Sequence, residues 1–173
     1  MVTRMAAMGG KRTFWTVWLA KGEGSMRRDW HKLWFNVAAV VVGSFGPVFF
    51  LGAAGVSEPA RFTLDLLSWP VDGNMSYQEP TVRFLSALTG GFLLGWGVTI
   101  WCLGKYLYPI APKPARVTVV YGLLSWFVLD SAGSLLSGNQ PNVVFNMAVL
   151  LVAVGPLWKA GIAEQADGVD PKR

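Results

Sequence analysis

Four long runs of apolar residues organise the chain, and short polar stretches separate them. The runs cover residues 33–54, 84–103, 117–136 and 143–158. A helix rises about 1.5 Å per residue, so about 20 residues cross the roughly 30 Å hydrocarbon core of a bilayer. The last run is slightly short for a span. The pattern predicts an all-α fold, a polytopic membrane protein with four transmembrane helices.

The composition favours a membrane environment over a soluble domain. Hydrophobic residues make up 53% of the 173 residues, charged residues only 14%, and the mean hydropathy is +0.40. A soluble domain of this size needs more charge to cover its surface. The net charge of +5 does not indicate a nucleic-acid partner, because the basic residues flank the apolar runs instead of forming one helix face. We expect the lipid bilayer to be the main partner.

The distribution of basic residues predicts three regions and an orientation. Residues 1–32 form a basic N-terminal segment, residues 33–158 the transmembrane domain, and residues 159–173 a polar tail. Thirteen of the 15 lysines and arginines lie in the N-terminal segment, in the loop 105–116 or in the tail. Because cytoplasmic loops carry the excess of Lys and Arg, both termini are predicted to be cytoplasmic.

Short helices are predicted on the membrane surface, outside the spans. Aromatic residues within 14–19 fall on one side of a helix, which indicates a surface helix; a disordered tail with a few aromatics is the alternative. A second surface helix is predicted between Ser57 and Pro70, since it has separate polar and apolar stripes. The polar stripe is Arg61, Asp65 and Ser68, and the apolar stripe is Phe62, Leu66 and Trp69. Met26 opens a sequence that resembles a natural start, so it competes with Met1 as the first residue.

Glycines in the second span and a proline in the first are expected to shape the backbone of these helices. Gly90, Gly97 and Gly104 are seven residues apart and therefore share one face of the second span. Such a face lets another helix backbone approach closely, which is the main packing device where lipid competes for apolar contacts. In the first span, Pro47 predicts a kink, because proline has no backbone N–H for the helix hydrogen bond.

The stretch from Asp130 to Asn146 carries an acidic residue at membrane depth. Asp130 lies 14 residues beyond Arg116, which places it about 21 Å into the third span and about 9 Å short of the far surface. A charged Asp at depth costs about 2.5–3.5 kcal/mol on the insertion scale, so polar partners are expected. The candidate cluster consists of Arg83, Asp130, Ser131, Ser134, Asn142 and Asn146.

Two interpretations of this cluster are open. In the first, it is a small polar pocket on the outer face that holds a proton, a cation or a polar head group. In the second, carboxylate, hydroxyls and amides satisfy one another and clamp the last hairpin. Arg83 then either reaches Asp130 or pairs with Glu79, one helical turn away. Clusters of Ser and Asn are common between membrane helices, which favours the clamp.

The sequence contains none of the common catalytic or nucleotide-binding motifs. It has no GxxxxGK[ST], HExxH or GxSxG pattern. The single Cys102 and the single His31 exclude an intramolecular disulfide, a multi-cysteine zinc site and a bis-histidine haem within one chain. His31 lies at the opposite end of the spans from Asp130, so the two cannot belong to one triad. We expect a protein that is not an enzyme and that has no cofactor or metal.

Three stretches together resemble a known family: LDLLSWPVDG from Leu64, RFLSALTGGFLLGWGVTIW from Arg83 and WFVLDSAGSLLSGNQPNVVFN from Trp126. They are similar to short proteobacterial inner-membrane proteins without an assigned activity, over about residues 34–158. The resemblance implies a four-helix protein of the bacterial inner membrane and carries over no functional residues. Such proteins are sometimes labelled as the ATPase of the ABC excinuclease. That DNA-repair enzyme needs phosphate-binding loops and cysteine-bound zinc, which this chain lacks.

Two function classes follow as hypotheses. The first is a non-enzymatic accessory or assembly protein that docks against a larger membrane complex, or against itself, through the Gly90–Gly97–Gly104 face. The second is a small carrier, or a lipid- or solute-binding protein, that uses the outward polar pocket around Asp130.

Overall fold

A computed structural model describes residues 14–74 and 76–159 of the chain, with side chains from Asp29 onward. That part of the chain contains six α-helices, one π-helical turn and one 3-10 turn, and it contains no strand. The helices are α1 (Phe14–Gly43), α2 (Phe45–Ala53), α3 (Glu58–Ser68), α4 (Pro80–Cys102), α5 (Pro112–Leu136) and α6 (Gln140–Val154). The π turn (Leu103–Leu107) directly follows α4, and the 3-10 turn (Gly155–Trp158) directly follows α6.

Four helical stretches are long and apolar enough to cross a membrane. They are Asp29–Ala53, Pro80–Leu107, Pro112–Leu136 and Gln140–Trp158. Large apolar side chains cover their outer surfaces; Leu136, for example, is 91% exposed. Soluble proteins rarely expose large contiguous apolar surfaces, whereas a bilayer solvates them. The prediction of an all-α fold with four transmembrane helices is confirmed, and the chain is a multi-pass membrane protein.

The helices form one bundle with two distinct ends. Helix α4 packs against α1 and α2, α6 packs against α1 and α5, and α3 contacts α2 and α6. The main core is apolar and includes Phe35, Ile100, Val119, Leu123 and Leu157. A smaller cluster of Phe49, Ala60 and Tyr77 joins α2, α3 and the loop before α4. We name the end of the bundle that carries α3 (Glu58–Ser68) the α3 end, and the end that carries the π turn (Leu103–Leu107) the π-turn end.

The glycine stripe of α4 is filled from inside the molecule. A Cβ added to Gly97 would lie 2.7 Å from the carbonyl oxygen of Ala39, and one added to Gly90 would lie 2.7 Å from a backbone oxygen of α2. A Cβ on Gly104 would lie 2.5 Å from the Cβ of Phe35. The stripe therefore packs helices, as predicted. The hypothesis that this face docks an external partner loses its basis, because α1 and α2 already occupy the face.

Helix α1 differs from the prediction at its beginning and ends close to the predicted kink. It runs without a break from Phe14 to Gly43, so the predicted surface helix is continuous with the first span. Residues 1–13 lie outside the described part of the chain. The helix is interrupted at Ser44, three residues before Pro47. This interruption falls in the turn whose hydrogen bond Pro47 cannot make, and the kink itself stays a prediction.

Three helices begin earlier than the apolar runs predicted. Helix α4 begins at Pro80 instead of residue 84, α5 at Pro112 instead of residue 117, and α6 at Gln140 instead of residue 143. Each has a proline in its first turn, where the fixed φ suits a helix and the missing N–H has no partner to lose. The predicted basic loop 105–116 is reduced to residues 108–111, because the π turn extends the helical stretch to Leu107 and α5 begins at Pro112.

Helix α3 carries the two predicted stripes in a definite orientation. Asp65 is 4% exposed and accepts a hydrogen bond from the backbone N–H of Gly73 at 2.9 Å. Arg61 donates to the carbonyl of the same Gly73 at 2.7 Å. Phe62 and Trp69 point away from the bundle and are exposed. The polar stripe thus holds the following loop, and the apolar stripe faces outward, as expected for a helix in the membrane interface.

Candidate functional site

A three-residue turn folds α6 back onto α5 at the α3 end of the bundle. Helix α5 ends at Leu136 and α6 begins at Gln140. Between them, Gly138 has φ of +76°, a left-handed conformation that glycine adopts without strain. The backbone N–H of Asn139 donates to the carbonyl of Ser134 at 2.8 Å, which closes the end of α5. The turn brings polar residues of the two helices to the same depth.

Five of the six candidate residues meet in one polar cluster: Asp130, Ser131, Ser134, Asn142 and Asn146. Asn146 Nδ2 donates to Asp130 Oδ2 at 2.6 Å, and Asn142 Nδ2 donates to the same oxygen at 3.1 Å. Asn142 Nδ2 also donates to Ser134 Oγ at 2.8 Å, and Asn146 Nδ2 lies 3.4 Å from Ser131 Oγ. Ser134 Oγ donates to the Asp130 carbonyl at 2.8 Å. The hydrogen bonds that a clamp requires are therefore present.

The cluster lies on the inward face of α5, at the level where the bundle opens. Arg116, Leu123 and Asp130 follow one another at intervals of seven residues and share this face. Arg116 is 8% exposed and Leu123 is fully buried, whereas Asp130 is exposed. The same face of the helix is thus closed near the π-turn end and open near the α3 end. Asp130 is six residues from the end of α5, or about 9 Å along its axis.

The opening is a cleft of about 470 Å³ along α5. It is lined by Trp126, Leu129, Asp130, Gly133, Ser134 and Ser137. The sequence pattern predicts a pocket that contains Asp130 and Ser134 and places Ser137 on the same helix face, but it does not assign Trp126, Leu129 or Gly133 to the pocket. Helical spacing contained the signal, because Trp126 precedes Asp130 by four residues and Ser137 follows it by seven.

The two oxygens of the Asp130 carboxylate have different surroundings. Oδ2 accepts hydrogen bonds from both asparagine amides. Oδ1 accepts no hydrogen bond from any described residue, and the side chain is exposed beside the cleft. Because few groups solvate a carboxylate at membrane depth, the free oxygen is a strong acceptor for a donor or a cation that enters the cleft. Oδ2 of Asp130 thus joins α5 to α6, and Oδ1 remains available as an acceptor.

Arg83 does not belong to this cluster. Its Nε and Nη2 donate to the carbonyl oxygen of Ala53 at 3.0 and 2.8 Å. Neither of the ion pairs considered for Arg83, with Asp130 or with Glu79, is present in the described part of the chain. The physical reason is that α4 packs against α2, so the nearest acceptors are the carbonyls at the end of α2, which lack partners within their helix.

Trp126 adds an aromatic wall to the cleft. Its ring contacts that of Trp96 on α4 in an edge-on arrangement, with 6.2 Å between ring centroids. An aromatic face close to a carboxylate is a common environment for organic ammonium groups, since both attract positive charge. The arrangement suits the binding of a cation better than proton relay, because within the described residues no group of three or more His, Cys, Asp and Glu side chains comes together.

Two further buried polar residues, His31 and Arg116, lie at the π-turn end. His31 is 2% exposed, and its Nδ1 is 2.9 Å from the hydroxyl of Tyr108. Arg116 Nη1 donates to the carbonyls of Leu157 and Trp158 at 2.8 and 3.3 Å. These residues join α1, α5 and the ends of α4 and α6 near the π turn. The histidine and Asp130 thus lie at opposite ends of the bundle, as the sequence predicted.

Searches of protein-family models, of curated proteins and of solved structures return no match to this chain. The family resemblance therefore stays a prediction, and the interpretation of the site rests on its geometry.

Proposed function

We propose that this chain is a small solute-binding protein of the bacterial cytoplasmic membrane, and that it binds an organic ammonium group in the cleft at Asp130. One observation carries the proposal: two asparagine amides hold Oδ2 of this carboxylate, while Oδ1 accepts no hydrogen bond from any described residue and Asp130 lines an open cleft. An acid that served only as a clamp would have both oxygens satisfied, since an unsatisfied carboxylate oxygen at membrane depth is costly.

The chemistry of the cleft favours an ammonium group over other ligands. A cation next to Oδ1 neutralises the carboxylate, and the face of Trp126 contributes cation–π attraction of about 0.5–1 kcal/mol at an exposed site and about 2 kcal/mol when desolvated. Ser137 adds a hydroxyl that accepts or donates a hydrogen bond. A neutral alcohol gains only the hydrogen bonds, and an anion is repelled by the carboxylate. Ligands with a primary or quaternary amine therefore fit this site best.

The distribution of charge supports an orientation in which the cleft opens to the outside. Thirteen of the 15 lysines and arginines lie on the side of the termini and of the π turn. The positive-inside rule then places both termini in the cytoplasm and the α3 end on the opposite surface. In this orientation a solute outside the cell reaches Asp130 without crossing the hydrocarbon core.

The accessory hypothesis has less support. It relied on the glycine stripe of α4 as a docking face, and α1 and α2 fill that face. The polar cleft, by contrast, contains a carboxylate whose Oδ1 has no hydrogen bond from a described side chain, although its Oδ2 accepts two. We therefore place binding of a solute ahead of assembly with a partner.

A titration with amines tests the proposal. The purified protein in lipid nanodiscs is heated with ethanolamine, choline or spermidine, and with glycerol as the uncharged control. We expect the amines to raise the melting temperature and glycerol to leave it unchanged; at 100 times the dissociation constant, a ligand stabilises by about 2.7 kcal/mol. Asp130→Asn should abolish this response, and Asp72→Asn, an exposed loop carboxylate at the same end, should retain it. No response to any amine, or an equal response in Asp130→Asn, would contradict the proposed function.

A further inference from the structure

A second cavity lies between α1 and α4, on the π-turn half of the bundle. Its volume is about 550 Å³. The floor is made of small residues and the walls of branched ones: Ala39, Gly43 and Gly97 below, and Val40, Leu94 and Val98 beside them. It is an open groove along the surface of two spanning helices, so the hydrocarbon of the bilayer surrounds it. A narrow apolar groove of this kind fits an extended acyl chain.

One polar side chain in this groove has no hydrogen-bond partner among the described residues. Asn36 lines the groove and is exposed, and its amide makes no hydrogen bond with any described residue. It lies three residues inside the apolar run that begins at residue 33, or about 4–5 Å along the axis, close to the polar edge of the hydrocarbon core. An amide at that depth can donate and accept hydrogen bonds, and leaving both unmade is unfavourable in lipid. The polar atoms that a membrane supplies near this level are the glycerol esters and phosphates of its lipids.

The mouth of the groove is positively charged. Lys32 is one turn before Asn36 on the same face of α1, and it is exposed. On the facing helix, Lys105 Nζ lies 4.4 Å from the ring centroid of Trp101, which itself lines the groove. Lys32 precedes the groove residue Asn36 by four positions, and Lys105 follows the groove residue Trp101 by four, so helical spacing directs both lysines toward this end of the groove. Asp29, the acid on this face of α1, lies about one turn farther from the groove than Lys32.

We propose that this groove binds one anionic phospholipid of the leaflet at the π-turn end. The phosphate lies between Lys32 and Lys105, the ester region hydrogen-bonds to Asn36, and one acyl chain follows the groove as far as Ser44. Asn36 and Ser44 are eight residues apart, or about 12 Å, which is most of the depth of one leaflet of a roughly 30 Å core. Ser44 is satisfied by the carbonyl of Val41 at 3.2 Å and needs nothing from the chain end.

Charge complementarity favours a lipid over a second copy of the chain. A symmetric contact between two copies would bring the same surface of each together, and hence the lysines of both mouths. An anionic head group, in contrast, neutralises the two lysines at once, and each lysine near an anionic lipid contributes a factor of about five in affinity. The site is separate from the Asp130 cleft, so it holds or fails independently of the proposed function.

Native mass spectrometry of the full chain tests this proposal. The protein is reconstituted with phosphatidylglycerol or phosphatidylcholine, released from detergent, and the retained lipids are counted. We expect one phosphatidylglycerol per chain and little phosphatidylcholine. Lys32→Gln combined with Lys105→Gln should weaken phosphatidylglycerol binding roughly 25-fold, while Lys113→Gln combined with Lys159→Gln serves as the charge-matched control.

A groove-filling variant tests the path of the acyl chain separately. Val40 is 67% exposed at the wall of the groove, and Val128 is 64% exposed on α5, outside the groove. Val40→Trp should abolish the retained lipid, whereas Val128→Trp should keep it. Equal retention in both tryptophan variants, or equal loss in both, would overturn the proposal. A lipid-free dimer that Val40→Trp dissociates and Val128→Trp does not would overturn it as well, in favour of a second copy of the chain.

Discussion

Replacing Asp130 with alanine tests the polar cluster between α5 and α6. The change removes the oxygen that accepts both asparagine amides. Asn146 is 2% exposed and keeps only its long hydrogen bond to Ser131 at 3.4 Å; a buried donor that loses its main partner costs up to about 1–3 kcal/mol. Asn142 loses less, because it keeps its 2.8 Å hydrogen bond to Ser134. Single hydrogen bonds between membrane helices average about 0.6 kcal/mol and reach about 1.7. We therefore expect Asp130→Ala to lower the free energy of unfolding by about 1–2 kcal/mol.

Asp130→Asn is the matched control for this substitution. Its carbonyl oxygen can take the position of Oδ2 and accept both amides, while its NH₂ group points into the cleft. Its stability should therefore stay within about 0.5 kcal/mol of the original protein. Arg83→Ala should add to the effect of Asp130→Ala without rescuing it, since Arg83 bonds to Ala53 and shares no partner with the cluster.

Reversible unfolding of the purified variants in mixed detergent micelles measures these differences. The reasoning is refuted if Asp130→Ala is as stable as the original protein, or if Asp130→Asn loses as much stability as Asp130→Ala. A rescue of Asp130→Ala by Arg83→Ala would show that the two side chains interact, which the structure does not allow.

Three further outcomes are expected. Gly97→Ala should lower the free energy of unfolding by about 1–3 kcal/mol, because the added Cβ meets backbone atoms at 2.7 Å. Gly91→Ala is the control and should leave stability unchanged, because its added Cβ has nothing within 4 Å. Equal melting temperatures of the two variants would contradict this packing. Arg116→Gln should cost about 1.5–3 kcal/mol, since its buried guanidinium bonds to two carbonyls, whereas the exposed Lys113→Gln should leave the melting temperature unchanged. A reporter that is active only in the cytoplasm should be inactive when fused at Gly138, and activity there would overturn the orientation.

The lengths of the apolar runs were sufficient to predict the spans, and the helical spacing of polar residues was sufficient to predict most of the polar cluster. Asp130, Ser134 and Asn146 follow from helical spacing and a short turn, so their meeting depends on local geometry alone. The partner of Arg83 could not be predicted in this way. Its choice of Ala53 depends on which helix packs beside α4, and a one-dimensional pattern does not contain that order.

For the glycine stripe too, the sequence pattern does not show which helix packs against it. Seven-residue spacing on α4 correctly indicated close packing of a helix, but it could not tell whether that helix belongs to the same chain. Gly97 meets Ala39, 58 positions earlier in the sequence. The helix boundaries differed for a local reason, because hydropathy does not detect a first turn that begins with proline, as at Pro112.

Labelling of an engineered cysteine in intact cells tests the outward-open anionic cleft most directly. In a Cys102→Ser background, Ser137→Cys is treated with membrane-impermeant cationic and anionic thiol reagents, with Ser76→Cys as the loop control. Ser137 lies two turns from Asp130, about 10 Å, where a unit charge is worth about 0.4 kcal/mol in water and about 1.7 kcal/mol at an effective dielectric constant near 20. We predict that the cationic reagent reacts severalfold faster than the anionic one at Ser137→Cys, and that Asp130→Asn removes this difference without changing the loop control. Absence of labelling from outside, or a rate ratio that Asp130→Asn leaves unchanged, would contradict the account.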